Sequence, residues 1–146
     1  MSLLERKSIL VPIDFSEASL EALRDAISLA ESPAQVHVVH VLPDLRSEAD
    51  YLSEAMTMSQ DEREARARAA LTDMLAENGT QAVDTIVCVG SAGEEITRVA
   101  RELGCDLIVM PTHGRKGVSR LLLGSVAERV LRLAHCPVLV TRGPAD

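Results

Sequence analysis

The sequence predicts an α/β domain in which a parallel sheet is covered by helices on both faces. Two observations indicate this fold class: short apolar runs that lack a polar alternation, and amphipathic segments that separate them in regular order. With 146 residues the chain has the length of one ordinary domain, and we expect residues 1–146 to fold as one. The core is expected to be aliphatic, because the chain is 47% hydrophobic but has no Trp, one Tyr and one Phe.

Five apolar runs are predicted as strands and four periodic segments as helices. The predicted strands are residues 8–13, 35–42, 82–89, 106–111 and 137–141. The first predicted helix follows residues 14–17 and has an apolar stripe from Leu23 to Ala30. The second covers residues 61–78, the third runs from Ser91 to Gly104, and the fourth covers residues 125–135. Ser91 and Glu94 have the spacing of a capping box. The polar segment 44–60 has no period and is predicted as a mobile loop or lid, with a functionless connection as the equal alternative.

Charge and composition exclude several classes of protein. The formal net charge of −7 disfavours nucleic-acid binding, which needs a surplus of basic residues. The amino terminus has no secretory pattern and no apolar run reaches membrane-spanning length, so we expect a cytoplasmic protein without a membrane partner. Three cysteines, Cys88, Cys105 and Cys136, have no CxxC spacing and are predicted to be reduced, buried thiols.

A glycine-rich segment, residues 110–125, connects the fourth strand to the last helix. Gly114 and Gly117 allow close backbone approach, and Gly124-Ser125 leads directly into the helix, whose amino terminus suits an anion. The segment has neither the Walker pattern nor a dinucleotide fingerprint. Ser125 and Glu128 also have capping-box spacing, so a purely structural role of Ser125 stays open beside the phosphate-binding role.

Several polar residues follow the ends of the predicted strands, where open parallel sheets bind ligands. Asp14 follows the first strand and is predicted either to accept from a ligand or to cap the first helix. His113 is read either as a phosphate donor or as a loop histidine held by backbone hydrogen bonds. The other histidines are interpreted as structural; they are His37, His40 and His135.

The chain resembles the universal stress protein family over nearly its whole length. The resemblance rests on ILVPIDFSE at 9–17, VHVVHVLPD at 36–44 and THGRKGVSRLLLGSVAERVLRLAHCPVLV at 112–140. It implies a Rossmann-like, adenine nucleotide α-hydrolase-like three-layer sandwich with a five-stranded parallel sheet and four helices. Nucleotide-binding members carry Gly-x2-Gly-x9-Gly-Ser/Thr; Gly114 and Gly124-Ser125 match this motif, whereas Pro111 stands in place of its first glycine.

The resemblance also implies which residues surround an adenine nucleotide and how the chain assembles. It places Pro12, Asp14 and Val41 around adenine and ribose, Met110, Thr112, His113, Gly114 and Arg115 along ribose and α-phosphate, and Gly124, Ser125 and Val126 at the phosphates. It further implies a homodimer through the last strand, at Val138, Leu139 and Val140.

Three functions are compatible with these features. The first is a regulatory module of the stress response that binds ATP or AMP. The second is a slow ATPase in which Asp14, Ser125 and a metal such as Mg²⁺ would act on the phosphates. The third is a stress protein that binds a protein partner and no nucleotide, a reading that Pro111 favours.

Overall fold

A computed structural model of the chain describes residues 6–45, 58–113 and 123–143. In these residues five strands and four α-helices alternate. The strands are β1 (Ile9–Pro12), β2 (Val36–Leu42), β3 (Asp84–Val89), β4 (Leu107–Pro111) and β5 (Val138–Thr141). The helices are α1 (Glu17–Leu29), α2 (Gln60–Glu77), α3 (Ala92–Glu102) and α4 (Ser125–Leu133), with a 3-10 turn at Pro33–Gln35 that the sequence analysis missed.

The five strands form one parallel sheet in the order β3-β2-β1-β4-β5. Successive residues of β1 face opposite sides, so Ile9 and Val11 pack with α1 and α2, whereas Leu10 packs with α3 and α4. Both faces are therefore apolar, which is why the strands read as continuous apolar runs. The predicted three-layer α/β fold is confirmed.

The boundaries of the elements differ from the sequence prediction by no more than two residues, and two of these differences have an identifiable cause. Helix α4 ends at Leu133 instead of residue 135, since Ala134 already has extended backbone three residues ahead of Pro137, which cannot continue a helix. Helix α2 begins at Gln60, where Ser59 and Glu62 form a reciprocal capping box. Most of the predicted loop or lid at 44–60 lies outside the described residues.

The amino-terminal segment is tied to the start of β4 by Asp106. The Asp106 carboxylate accepts from Lys7 N at 2.9 Å and Ser8 N at 3.4 Å, and Asp106 N donates to Ser8 O at 2.9 Å. Arg6 Nη1 adds a bond to the Asp106 carbonyl oxygen at 2.9 Å. These bonds lie at the amino ends of the strands and leave the opposite edge of the sheet to the candidate site.

Helices α3 and α4 pack closely where Gly93 faces Arg129. A Cβ atom on Gly93 would lie 2.7 Å from Arg129 Cβ, so only glycine fits without displacement. Glu94 and Arg129 form an ion pair across the same contact at 2.9 Å.

Within the described residues, no helix combines the length and apolar character needed to cross a membrane.

Candidate functional site at the topological switch point

A cavity opens where the chain changes direction in the sheet. Strands β1 and β4 are neighbours, but the chain continues from β1 towards β2 and from β4 towards β5. The connections after the two strands therefore diverge and leave a crevice at their carboxyl ends. A cavity of about 310 Å³ occupies this place, at the lower end of the range of about 300–1,000 Å³ usual for small-molecule sites.

The cavity collects most residues that the sequence analysis selected. Nine of the eleven candidate ligand-binding residues line it: Pro12, Asp14, Val41, Met110, Thr112, His113, Gly124, Ser125 and Val126. The other two, Gly114 and Arg115, lie outside the described residues. The structure thus brings together residues from three separate stretches of the chain, while their contact with a nucleotide remains a prediction.

The turn between β1 and α1 places Asp14 at the cavity. Ser16, not Asp14, is the amino-terminal cap of α1, because its Oγ accepts from Ser19 N at 3.1 Å. Oδ1 of Asp14 in turn accepts from Ser16 N at 3.0 Å and from Ser16 Oγ. The alternative that Asp14 itself caps the helix is therefore wrong; it supports the residue that does.

The connection from β4 to α4 depends on a glycine. Thr112 N donates to Thr141 O at 2.8 Å, and Gly124 N donates to Thr112 O at 2.7 Å. A Cβ atom on Gly124 would lie 2.6 Å from Thr112 O, which is closer than any side chain tolerates. The glycine of the predicted motif is thus required by close contact of two backbone segments.

The capping-box prediction for α4 is wrong. Gly124 is the capping residue, Ser125 is the first helical residue, and no side chain in the described part of the chain caps the helix. Glu128, the expected partner, instead binds Arg132 at 2.9 Å. The N–H groups of the first turn, which have no acceptor within a helix, therefore receive no side-chain cap from the described residues at the wall of the cavity.

The capping-box prediction for α3 fails in the same way. Ser91 occupies the capping position without a side-chain hydrogen bond to the helix. Glu94 pairs with Arg129 instead of reaching back to the cap. Ala92, the first residue of α3, lines the cavity, so the two helices that have no side-chain cap among the described residues both begin at its wall.

Pro111 ends β4, is buried, and lines the cavity beside Met110 and Thr112. It pairs with Thr141 of β5 in the parallel ladder. Compared with the glycine of the family motif, it adds a ring to the cavity wall and removes one backbone donor.

His113 Nε2 is enclosed and has no hydrogen-bond partner among the described residues. The interpretation of His113 as a histidine fully held by backbone bonds finds no support at this atom. Because buried polar atoms are nearly always paired, an enclosed ring nitrogen beside a cavity is a candidate for ligand contact.

Sequence reasoning missed part of the wall. Ser19, Val39, Ala92 and Ile96 line the cavity, and so does His40, which had been interpreted as structural. Ala92 and Ile96 belong to α3, whose placement over the sheet follows from tertiary packing. A usable signal existed only for His40, which directly precedes Val41 at the end of a strand.

The cysteines take no part in the site as nucleophiles. All three are free of disulfides, as predicted, although Cys88 and Cys136 are half-buried and only Cys105 is fully buried. Burial raises the pKa of the Cys88 thiol to about 11 and also raises the pKa of Cys105 and Cys136. Within the described ranges no group of His, Cys, Asp or Glu has the arrangement of a metal site.

These features define a doubly wound α/β domain with a ligand-sized cavity at its topological switch point. The family model described as "Universal stress protein family" matches residues 5–142. The chain therefore belongs to the universal stress protein family, in agreement with the resemblance seen in the sequence.

Similar proteins support this assignment over the full domain. Universal stress protein MJ0531 of Methanocaldococcus jannaschii is 39% identical over 94% of this chain and 83% of its own length. The solved structure of MJ0577 is 30% identical with a TM-score of 0.73 and covers 96% of this chain and 98% of that one. UspA from Lactobacillus plantarum gives a TM-score of 0.74 at 25% identity, covering 94% and 99%. A universal stress protein in complex with cAMP, 20% identical with a TM-score of 0.62 and covering 95% and 99%, shows the fold alone.

Proposed function

We propose that the chain binds an adenine nucleotide, ATP or AMP, in the switch-point cavity and acts as a regulatory module of the stress response. The observation that carries the proposal is the meeting of nine motif-derived residues around one cavity of about 310 Å³. These residues come from β1, β2 and the β4–α4 connection, which only the fold brings together.

The chemistry of the wall fits a ligand with an apolar ring and a charged tail. The part formed by β1, β2 and α3 presents mainly aliphatic side chains, among them Pro12, Val41 and Ile96. The part formed by the β4–α4 connection presents Thr112, His113 and the start of α4, which no side chain of the described residues caps. A purine suits the first part, and a phosphate suits the second, since free N–H groups and the helix dipole stabilise anions.

The proposal assigns binding, not catalysis. Asp14 contacts Ser16 and is placed to accept from a hydroxyl or amino group of the ligand. Mg²⁺ accompanying the phosphates is compatible with this role, since carboxylate and phosphate oxygens are its usual ligands.

The nucleotide is expected to leave the cavity when a carboxylate is placed at the start of α4. Freshly purified protein is denatured, and the released nucleotide is identified by chromatography. The wild type is expected to release ATP, ADP or AMP near one equivalent, and Ser125→Glu is expected to release almost none, because its charge repels phosphate. Ala69→Glu adds the same charge on the exposed face of α2 and is expected to behave as the wild type.

Absence of nucleotide in the wild type, together with no binding on titration with ATP and Mg²⁺, would contradict the proposal. A Pro111→Gly variant then identifies the cause. Binding restored by this glycine would show that Pro111 prevents nucleotide binding, and the wild-type protein would be a partner-binding member of the family.

We further propose that the protein forms a homodimer through β5. This strand lies at one edge of the sheet, and Leu139 is 42% exposed there, so its backbone and side chains are open to pairing with a second copy, with Val138 and Val140 in the same strand. Leu139→Lys is expected to yield a monomer in sedimentation velocity. The control is Leu29→Lys, a leucine 46% exposed on α1, which should leave the dimer intact; a monomeric wild type would refute the assembly.

A further inference from the structure

His40 makes a side-chain bond that joins β2 to the chain just beyond β1. Its Nδ1 lies 2.7 Å from the carbonyl oxygen of Ile13. A carbonyl oxygen only accepts, so Nδ1 carries the hydrogen and the tautomer of the neutral ring is fixed. Ile13 N donates to Val39 O at 2.8 Å, so both polar backbone atoms of Ile13 are held by β2.

A second contact holds the residue on the other side of Asp14. The rings of Phe15 and His40 have centroids 4.9 Å apart and planes inclined by 60°. Phe15 has φ +66°, the one positive value among the described non-glycine residues. This backbone conformation is unfavourable for a residue with a side chain, and such strain persists only where neighbouring contacts fix it.

Asp14 lies between these two anchored residues and lines the cavity. Its Oδ1 accepts both hydrogen bonds from Ser16, so the position of the carboxylate depends on the conformation of the turn. His40 lines the same cavity and contacts the turn before and after Asp14.

We infer that His40 is a positioning residue: its hydrogen bond to Ile13 and its contact with Phe15 hold the turn so that the Asp14 carboxylate is set for a ligand hydroxyl or amino group. The inference deepens the proposed nucleotide function and rests on it. His40 acts through Asp14, and we assign it no contact with the ligand.

Two substitutions separate the hydrogen bond from simple filling of space. His40→Leu removes the donor, and we expect the Kd for ATP to rise by roughly tenfold or more. His40→Asn places an amide N–H near the position of Nδ1, and the Kd should stay within about threefold of the wild type. His37→Leu is the matched control on the same strand; His37 binds Asp84 at 2.9 Å and does not line the cavity, so its Kd should not change.

A double-mutant cycle tests whether His40 acts through Asp14. In an Asp14→Asn background, His40→Leu is expected to raise the Kd only slightly further, because the carboxylate it positions is absent. If the factor by which His40→Leu raises the Kd is the same in the wild-type and Asp14→Asn backgrounds, the inference is wrong. A His40→Leu variant that binds ATP as the wild type does would also overturn it.

A measurement without ligand distinguishes this inference from the proposed function. Nitrogen-detected histidine NMR should show hydrogen on Nδ1 of His40, and the Ser16 amide signal should shift in His40→Leu and return in His40→Asn. A wild type that fails to bind ATP overturns the nucleotide proposal, and the Ser16 signal then decides the positioning role. An unchanged signal in His40→Leu overturns that role.

Discussion

Gly124→Ala is expected to raise the Kd for ATP by roughly tenfold or more and to lower the free energy of unfolding by about 1–3 kcal/mol. The added Cβ would lie 2.6 Å from Thr112 O, so the β4–α4 connection has to move apart. That movement breaks the 2.7 Å bond from Gly124 N to Thr112 O and displaces the start of α4 from the cavity. Urea denaturation and equilibrium titration with ATP measure the two effects.

Ser125→Ala is the control for the unfolding measurement. Ser125 makes no capping bond, so its loss should change the free energy of unfolding by no more than about 0.5 kcal/mol. A loss of about 1 kcal/mol would instead be the mark of a capping serine. Gly124→Ala protein that binds ATP with wild-type affinity would show that the close contact is irrelevant to the site.

Leu10→Ala is expected to cause the largest loss of stability, about 2–5 kcal/mol. Leu10 is fully buried in β1, in the centre of the sheet, and belongs to the cluster that packs against α3 and α4. Removing its side chain loses apolar burial and leaves a cavity that the paired strands on both sides keep from collapsing.

Leu29→Ala makes the same chemical change at a leucine that is 46% exposed. Its expected effect on the free energy of unfolding, again from urea denaturation, is no more than about 1 kcal/mol. Similar losses in the two variants would mean that burial does not decide the stability of the sheet.

The order of the elements and the location of the site were predictable from the sequence. Parallel strands buried on both faces need continuous apolar runs, and these runs marked all five strands. Asp14 and Thr112 follow such runs and Val41 lies near the end of one, and the carboxyl ends of parallel strands meet at one edge of the sheet.

Interactions between distant segments were not predictable. The Ser91 and Ser125 patterns have the spacing of capping boxes, but Glu94 binds Arg129 of the neighbouring helix and Glu128 binds Arg132. Capping-box spacing takes no account of an arginine that competes for the glutamate, either from the neighbouring helix, as Arg129 does for Glu94, or from the next turn of the same helix, as Arg132 does for Glu128. The place of His40 in the cavity wall depended on Ile13 in the same way, 27 positions away along the chain.

The close packing of Gly93 on Arg129 couples the positions of α3 and α4. Both helices begin at the cavity, so their separation sets the width of one wall. Because Gly93 has no side chain, the backbone of α3 lies directly against the Arg129 side chain of α4. The two helices are therefore not expected to move apart independently. A ligand that displaces the start of α4 would also displace α3, whose outer face carries the Arg98 ion pairs with Glu95 and Glu102. If the proposed nucleotide occupies the cavity and displaces α4, we therefore expect a displacement of this charged outer surface.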